Sequence, residues 1–278
     1  MKENIDQKVV KGFGVEWTTF NQSALSDVEL ENMFNGYFSI FPWNKLPVNA
    51  TGFDLGCGSG RWDGFVAKRI GAEGKLYCID PAPAALSVAK QNVMNSNVEF
   101  ICAGVDSIPF EDNSMDFGFS LGVLHHVPDT QQGIIECVKK LKHGAPFLLY
   151  LYYAFDNRPR WFRMLWKCSD FLRKIISRLP HVFKYLLSLM IAGTIYLPLA
   201  RFSRWMERRG KNVKNYPLSS YKNNSFYTMR TDSYDRFCTR LEQRFTKIEM
   251  QQMMQKAGLS SIIFQEEYAF WCAVGYKI

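Results

Sequence analysis

Thr51-Gly52-Phe53-Asp54-Leu55-Gly56-Cys57-Gly58-Ser59-Gly60 decides how the rest of this chain is read. An apolar run closes on an acid, and three glycines then fall at alternate positions. A helix is expected directly afterwards, from Arg61. A strand running into such a turn presents backbone N–H groups and the positive end of a helix dipole, with glycines where side chains would obstruct a ligand. That arrangement suits a nucleotide or another anionic small molecule.

The pattern around this stretch is α/β. Strands are expected at 51–55, 76–80, 98–102, 116–121 and 146–152, and helices at 61–70, 82–94 and 129–142. Such alternation implies a parallel sheet with helices on both faces. Ligands of these sheets bind beyond the carboxyl ends of the strands, at the topological switch point, where residues 52–60 would fall. A helix over 245–257, with Thr246 as its cap and Gly258 as its stop, and strands at 260–264 and 269–276 resume the pattern. Four segments follow: an N-terminal helical extension over 1–49, a ligand-binding core over 50–155, a helical insertion over 156–244, and a helix with strands over 245–278 that completes the core. In the extension, Val28, Leu30, Met33, Phe34, Tyr37 and Phe38 recur at helical spacing after Ser26. Phe13 and Trp17, each beside a glycine or close to one, either pack on the core or roof a ligand site.

Composition bounds the function. The 278 residues are 47% hydrophobic, enough for a sizeable core, and carry a formal charge of +8. Residues 151–240 hold 18 Lys/Arg against 5 Asp/Glu, or +13, which leaves the remainder at 16 − 21 = −5. The basic character is therefore local. Seven cysteines, odd in number and without a C-x-x-C pair, argue against zinc and against a disulfide framework. No metal site is expected. A reducing compartment fits, and Met1 to Lys11 contain no apolar signal core, so a cytoplasmic location is expected.

The insertion carries Trp161, Leu165, Cys168, Leu172, Ile175 and Leu179 at helical spacing, with basic residues between them. Tyr185 to Ala200 is an uncharged run of 16 residues, short of the roughly 20 needed to span a bilayer. Gly193 and Pro198 weaken it as one straight helix. Three readings stay open: a lid over an acceptor pocket, a site for an anionic acceptor, and peripheral membrane contact through 182–209. Arg230 and Arg240 either bind an acceptor anion or pair with Asp232, Asp235 and Glu242. Without a recognisable RNA-binding module, nucleic acid is the weaker use of the charge.

The glycine stretch does not fit a dinucleotide fingerprint, because Arg61 stands at the third glycine position. Asp80, twenty residues past Gly60, closes the next strand, where a carboxylate can hold both hydroxyls of a ribose. Together with Ser107-Ile108-Pro109-Phe110-Glu111-Asp112-Asn113-Ser114-Met115-Asp116 and Leu124-His125-His126-Val127-Pro128-Asp129, these residues resemble the class I S-adenosylmethionine-dependent methyltransferases. The likeness is greatest to the branch that includes the ubiquinone and menaquinone C-methyltransferases.

The resemblance implies a Rossmann-like, doubly wound seven-stranded sheet, its last strand antiparallel, with a helical insertion after the fifth strand. It implies S-adenosylmethionine as cofactor and S-adenosylhomocysteine as product. Gly56, Cys57, Gly58 and Gly60 would then contact the methionine portion, Asp54 its ammonium end and Asp80 the ribose, with Pro81 and Trp17 beside the cofactor. Gly104 stands where the family commonly has an acid for the adenine, so Asp106 or the backbone at Val105 takes that role. Leu121 would line the methyl-donor channel. His125 and His126 are either bases or residues that order their loop, and Phe13, Arg230 and Arg240 are candidates for the acceptor site. The reaction implied is methyl transfer to oxygen, carbon or nitrogen of a small-molecule, lipid-linked or sugar-linked metabolite. The alternatives are an RNA methyltransferase and a non-catalytic binding or scaffolding subunit. Oligomeric state is not legible.

Overall fold

Seven strands pair into one sheet in the computed structural model, which describes residues 3–267 and 271–278. They are β1 (Thr51–Leu55), β2 (Lys75–Ile79), β3 (Val98–Ile101), β4 (Phe117–Leu121), β5 (Pro146–Tyr150), β6 (Leu259–Phe264) and β7 (Cys272–Lys277), in the order β3-β2-β1-β4-β5-β7-β6. The pairs among β1 to β5 are parallel, and β7 runs antiparallel to both β5 and β6. Each expected strand is present within a few residues of its expected bounds; positions 269–270 of the last one lie outside the described residues. The order reverses between β1 and β4, which puts the turn after β1 at the switch point.

Two compact units make up the chain. The first, Met1–Ser23, Leu30–Ala154 and Leu241–Ile278, contains the sheet. Its helices are α1 (Gln7–Thr19), most of α2 (Asp27–Phe38), α3 (Asp63–Ile70), α4 (Pro83–Asn92), α5 (Thr130–Lys140) and, later in the chain, α10 (Lys247–Lys256). Alternate residues of the central strands feed opposite faces, as strand geometry requires. Phe147 and Leu149 join Phe53, Leu124 and Ile134 on one side, whereas Leu148 joins Phe34, Phe38, Phe117 and Phe119 on the other.

Helix α1 falls within the helical extension expected over 1–49, although Gly12 and Gly14 lower helix propensity. Asp6 caps it by accepting from the N–H groups of Lys8 and Val9. Gly14 then lets α1 approach α4 closely: a Cβ there would lie 3.4 Å from the Ala84 Cβ. The close approach repays the propensity lost.

The second unit, Ala24–Glu29 and Phe155–Arg240, is helical: α6 (Arg160–Ile176), α7 (His181–Ile191), α8 (Leu197–Arg208) and α9 (Phe226–Cys238). Residues 181–208 follow one helical path despite Gly193 and Pro198. A π-helical turn over Ala192–Tyr196 joins α7 to α8, and Pro198 falls in the first turn of α8. The locally altered hydrogen-bond register accommodates a proline that an unbroken α-helix would resist.

Candidate functional site

The loop after β1 is bound to the end of β2. The N–H groups of Gly56 and Cys57 both donate to the Ile79 carbonyl, at 2.7 and 3.1 Å. Gly58 adopts a positive φ of 56°, and a Cβ on it would lie 2.7 Å from Trp17 Nε1. Glycine is therefore required twice over, by backbone conformation and by the indole lying against it. Trp17 reaches this place because α1 carries it there. The Arg61 guanidinium stands over both Trp17 and Trp62, 5.5 and 5.4 Å from their rings.

Three buried carboxyl groups gather around the loop. Asp80 accepts from the Gly58 N–H at 3.0 Å and from the Ala82 N–H at 2.8 Å. Burial pushes it up to about 6, against the opposing effect of those two hydrogen bonds. Asp54, at the penultimate position of β1, and Asp63, in the first turn of α3, are neighbours and almost wholly buried. Asp54 is held well above the ordinary carboxylate range, by burial first and then by the charge of Asp63. Asp63 rises to about 6, again mainly through burial, while the neighbouring Asp54 and Cys78 side chains act the other way. Asp54 thus keeps its proton beside Asp63. Neither Asp63 oxygen has a hydrogen-bond partner among the described residues. The neighbouring Cys57 thiol is pushed up to about 12 by burial and stays neutral.

A second cluster forms past the ends of β4 and β5. The segment Leu124–His126 is a short 3-10 turn with both histidines buried. His125 stacks within 3.8 Å of the Tyr152 ring centroid, and neither of its nitrogens has a hydrogen-bond partner. Burial, reinforced by the charges of His126 and Arg244, holds it well below the usual histidine range, so it is neutral. His126 differs. Its Nδ1 lies 2.6 Å from the Leu241 carbonyl oxygen, which can only accept, so Nδ1 carries the proton and Nε2 is the basic nitrogen of the neutral ring. Phe13 of α1 lies 5.0 Å from the His126 ring. Tyr37, Tyr150 and Tyr152 continue the aromatic surface, the last two 5.9 Å apart. The sequence reading missed these tyrosines and Asp63; Tyr150-Leu151-Tyr152 at a strand end was the available signal.

The other expected site residues fall as follows. Leu121 ends β4, and the next residue, Gly122, donates to the Tyr150 carbonyl. Pro81 lines a groove with Gly14, Val15 and Ala84 between α1 and α4. Val105 is buried in a 3-10 turn, while the exposed Asp106 accepts from the Asn4 backbone N–H. Asp54, Gly56, Cys57, Gly58, Gly60, Asp80 and Trp17 are brought together. Arg230 and Arg240 belong to the second unit, Arg230 above the Tyr227 ring and Arg240 exposed after α9. Among the described residues, no group of three or more His, Cys, Asp and Glu is placed to hold a metal ion.

A doubly wound sheet with an acid-flanked glycine turn at its switch point defines a Rossmann-like domain for a nucleoside-containing ligand. Residues 53–149 match the family described as "Methyltransferase domain". The chain is 33% identical over 114 residues to the demethylmenaquinone methyltransferase of Listeria welshimeri. It is 30% identical over 105 residues to the "2-phytyl-1,4-naphtoquinone methyltransferase" of Thermosynechococcus vestitus. These matches cover 39% and 37% of this chain, and it spans about half the length of each relative, 47% and 46%. In fold, it superposes on a solved S-adenosylmethionine-dependent methyltransferase from Thermotoga maritima with a TM-score of 0.51, at 12% identity, covering 97% of this chain and 100% of that one. Residues 53–149 thus carry a methyltransferase domain, and the fold is that of a solved S-adenosylmethionine-dependent methyltransferase, which makes S-adenosylmethionine the cofactor to test against the site.

The residues present fit that cofactor. The cofactor carries a sulfonium and an ammonium, and the loop is surrounded by three buried carboxyl groups, one of which has little besides its neighbour to satisfy it. Each Asp80 oxygen accepts one backbone N–H and retains a lone pair for a ribose hydroxyl.

Proposed function

We propose that this chain transfers a methyl group from S-adenosylmethionine to an oxygen of a small apolar or lipid- or sugar-linked acceptor, with His126 as the base. The observation that carries the base assignment is the Nδ1 contact with the Leu241 carbonyl, which fixes both the ring and its tautomer. The bound cofactor supplies a methyl group on sulfur that already leaves readily. The protein is therefore left with alignment and with removal of the acceptor proton. Asp80 holds the ribose, and the Asp54–Asp63 pair supplies negative charge for the ammonium end. His126 Nε2 takes the acceptor proton in a surface built of Phe13, Tyr150 and Tyr152. His125, neutral and without a hydrogen-bond partner, packs that surface. An acidic carbon would be served by the same base. The aromatic lining supports an apolar acceptor, and the relatives are named for quinones. All seven cysteines are free, which supports a reducing, cytoplasmic setting.

The test is calorimetry with S-adenosylmethionine and S-adenosylhomocysteine. Saturable binding of both is expected. Asp80→Ala should weaken it by about 1–3 kcal/mol, the scale of a hydrogen bond to a charged group. Absence of binding by the unaltered chain would end the proposal, and unchanged affinity in the variant would remove Asp80 from the ribose.

A further inference from the structure

The helices of the second unit turn many large apolar side chains outward. On α6, Trp161, Met164, Leu165, Phe171, Leu172 and Ile175 are all exposed, Met164 by 68%. The inward face holds an ion pair beside the buried Ile176: Arg173 is 4% exposed, bound to Asp170 at 2.7 Å and to the Thr239 carbonyl at 3.0 Å. The same outward display holds along 181–208. Phe183, Leu186, Met190, Ile195, Phe202 and Trp205 face outward, whereas Ser188, Ile191, Ala192, Tyr196, Ala200 and Ser203 are buried. Of 21 large apolar side chains exposed among the described residues, 15 lie within 155–240. Scattered exposed apolar residues need no explanation, but two continuous outward stripes do.

Charge accompanies them. At 100° per residue, the exposed apolar side chains of α6 fill an arc of about 120°. Arg160, Arg163, Lys167, Lys174 and Arg178, all exposed, form a stripe along one border of that arc. Arg208, Arg209 and Lys211 close the far end of α8, with the Arg209 guanidinium 3.7 Å from the Trp205 ring centroid.

We propose that the outward faces of α6, α7 and α8 seat the second unit on an anionic lipid bilayer, apolar side chains in the acyl boundary and the basic stripes on headgroup phosphates. The helix over His181–Arg208 is long and apolar enough to cross a membrane by length and composition. Its inner face is committed to polar contacts, since the Ser188 carbonyl accepts from Ser233 Oγ of α9 at 2.9 Å. Arg173 of α6 is tied to the carbonyl that follows α9. Helices bound on one side to a polar partner lie in the interface plane with only the other side in lipid. The inference concerns the second unit alone and does not depend on methyl transfer.

The test uses the full chain with vesicles of phosphatidylcholine alone and of phosphatidylcholine mixed with phosphatidylglycerol, at low and high salt. Co-sedimentation with the anionic vesicles should exceed that with neutral ones by about tenfold or more, and added salt should reduce it. The double variant Phe171→Glu, Phe202→Glu should lose binding by about tenfold or more. Arg163→Gln with Lys167→Gln should also lose about tenfold, and only on anionic vesicles. All four positions are exposed, so the variants should keep the wild-type circular dichroism and S-adenosylhomocysteine affinity. Equal recovery with both vesicle types would overturn the proposal. So would folded variants that sediment like wild type. Salt-sensitive RNA binding without vesicle binding would assign the charge to nucleic acid instead. A solution dimer dissociated by Phe171→Glu, Phe202→Glu, without vesicle binding, would give the face to a second copy.

Discussion

Replacing Asp63 with asparagine removes one of two carboxyl groups buried against one another beneath the glycine loop. The unfolded chain releases the Asp63 proton near the ordinary value of 3.8, and the folded chain releases it at about 6. Between those values the folded state holds the additional proton, so stability falls as pH rises from about 4 to 6, and the loss is complete above that window. At about 1.4 kcal/mol per pH unit, the rise amounts to about 3 kcal/mol. Asp80 titrates in the same window in both proteins and cancels from the comparison. Asp63→Asn should therefore gain about 3 kcal/mol over the unaltered chain at pH 7.5, with the gain shrinking towards zero near pH 4. Urea unfolding at a series of pH values measures it directly. A difference between the two proteins that is constant from pH 4.5 to 7.5 would refute the reasoning. The gain should come with weaker S-adenosylmethionine binding, as expected where buried charge serves a ligand at the expense of stability.

Gly58→Ala should destabilise the chain by about 1–3 kcal/mol, because its φ of 56° and the Trp17 indole both oppose a Cβ. Thermal unfolding with and without S-adenosylhomocysteine would report it, and an unchanged midpoint would contradict the close approach. His126→Ala should lower single-turnover methylation of a cell lipid extract by about a hundredfold or more and abolish the acidic limb of the pH–rate profile. His125→Ala should retain that limb, since a ring held neutral by burial contributes no titration there. The reverse pattern would exchange their roles.

The sheet was legible because β1 to β5 write themselves locally, as short apolar runs bounded by glycines and acids at regular spacing. The loop was legible for the same reason: Asp54, the alternate glycines and Asp80 are separated by fixed distances along the chain. What the sequence concealed depends on approach between distant segments. Gly12 and Gly14 lower helix propensity, yet Gly14 is where α1 meets α4 and so brings Trp17 to Gly58. Asp63 stands in the first turn of a helix, where an acid is ordinary, and only the fold turns it inward beside Asp54. The two histidines looked equivalent until the Leu241 carbonyl, more than a hundred residues away, distinguished them. The insertion was legible as helical and basic, but helical spacing cannot say whether an apolar stripe faces inward or outward.

The π turn over Ala192–Tyr196 has a geometric result for the surface that follows it. In an uninterrupted α-helix, at 100° per residue, the arc through Phe202 and Trp205 would run ahead of that of Phe183, Leu186 and Met190 by about 100°. A π turn accommodates one residue more than an α turn, and so takes back about 100° of that offset. Seven turns of helix thereby present one plane rather than two that diverge, and the phase of the whole stripe is set by a single surplus residue.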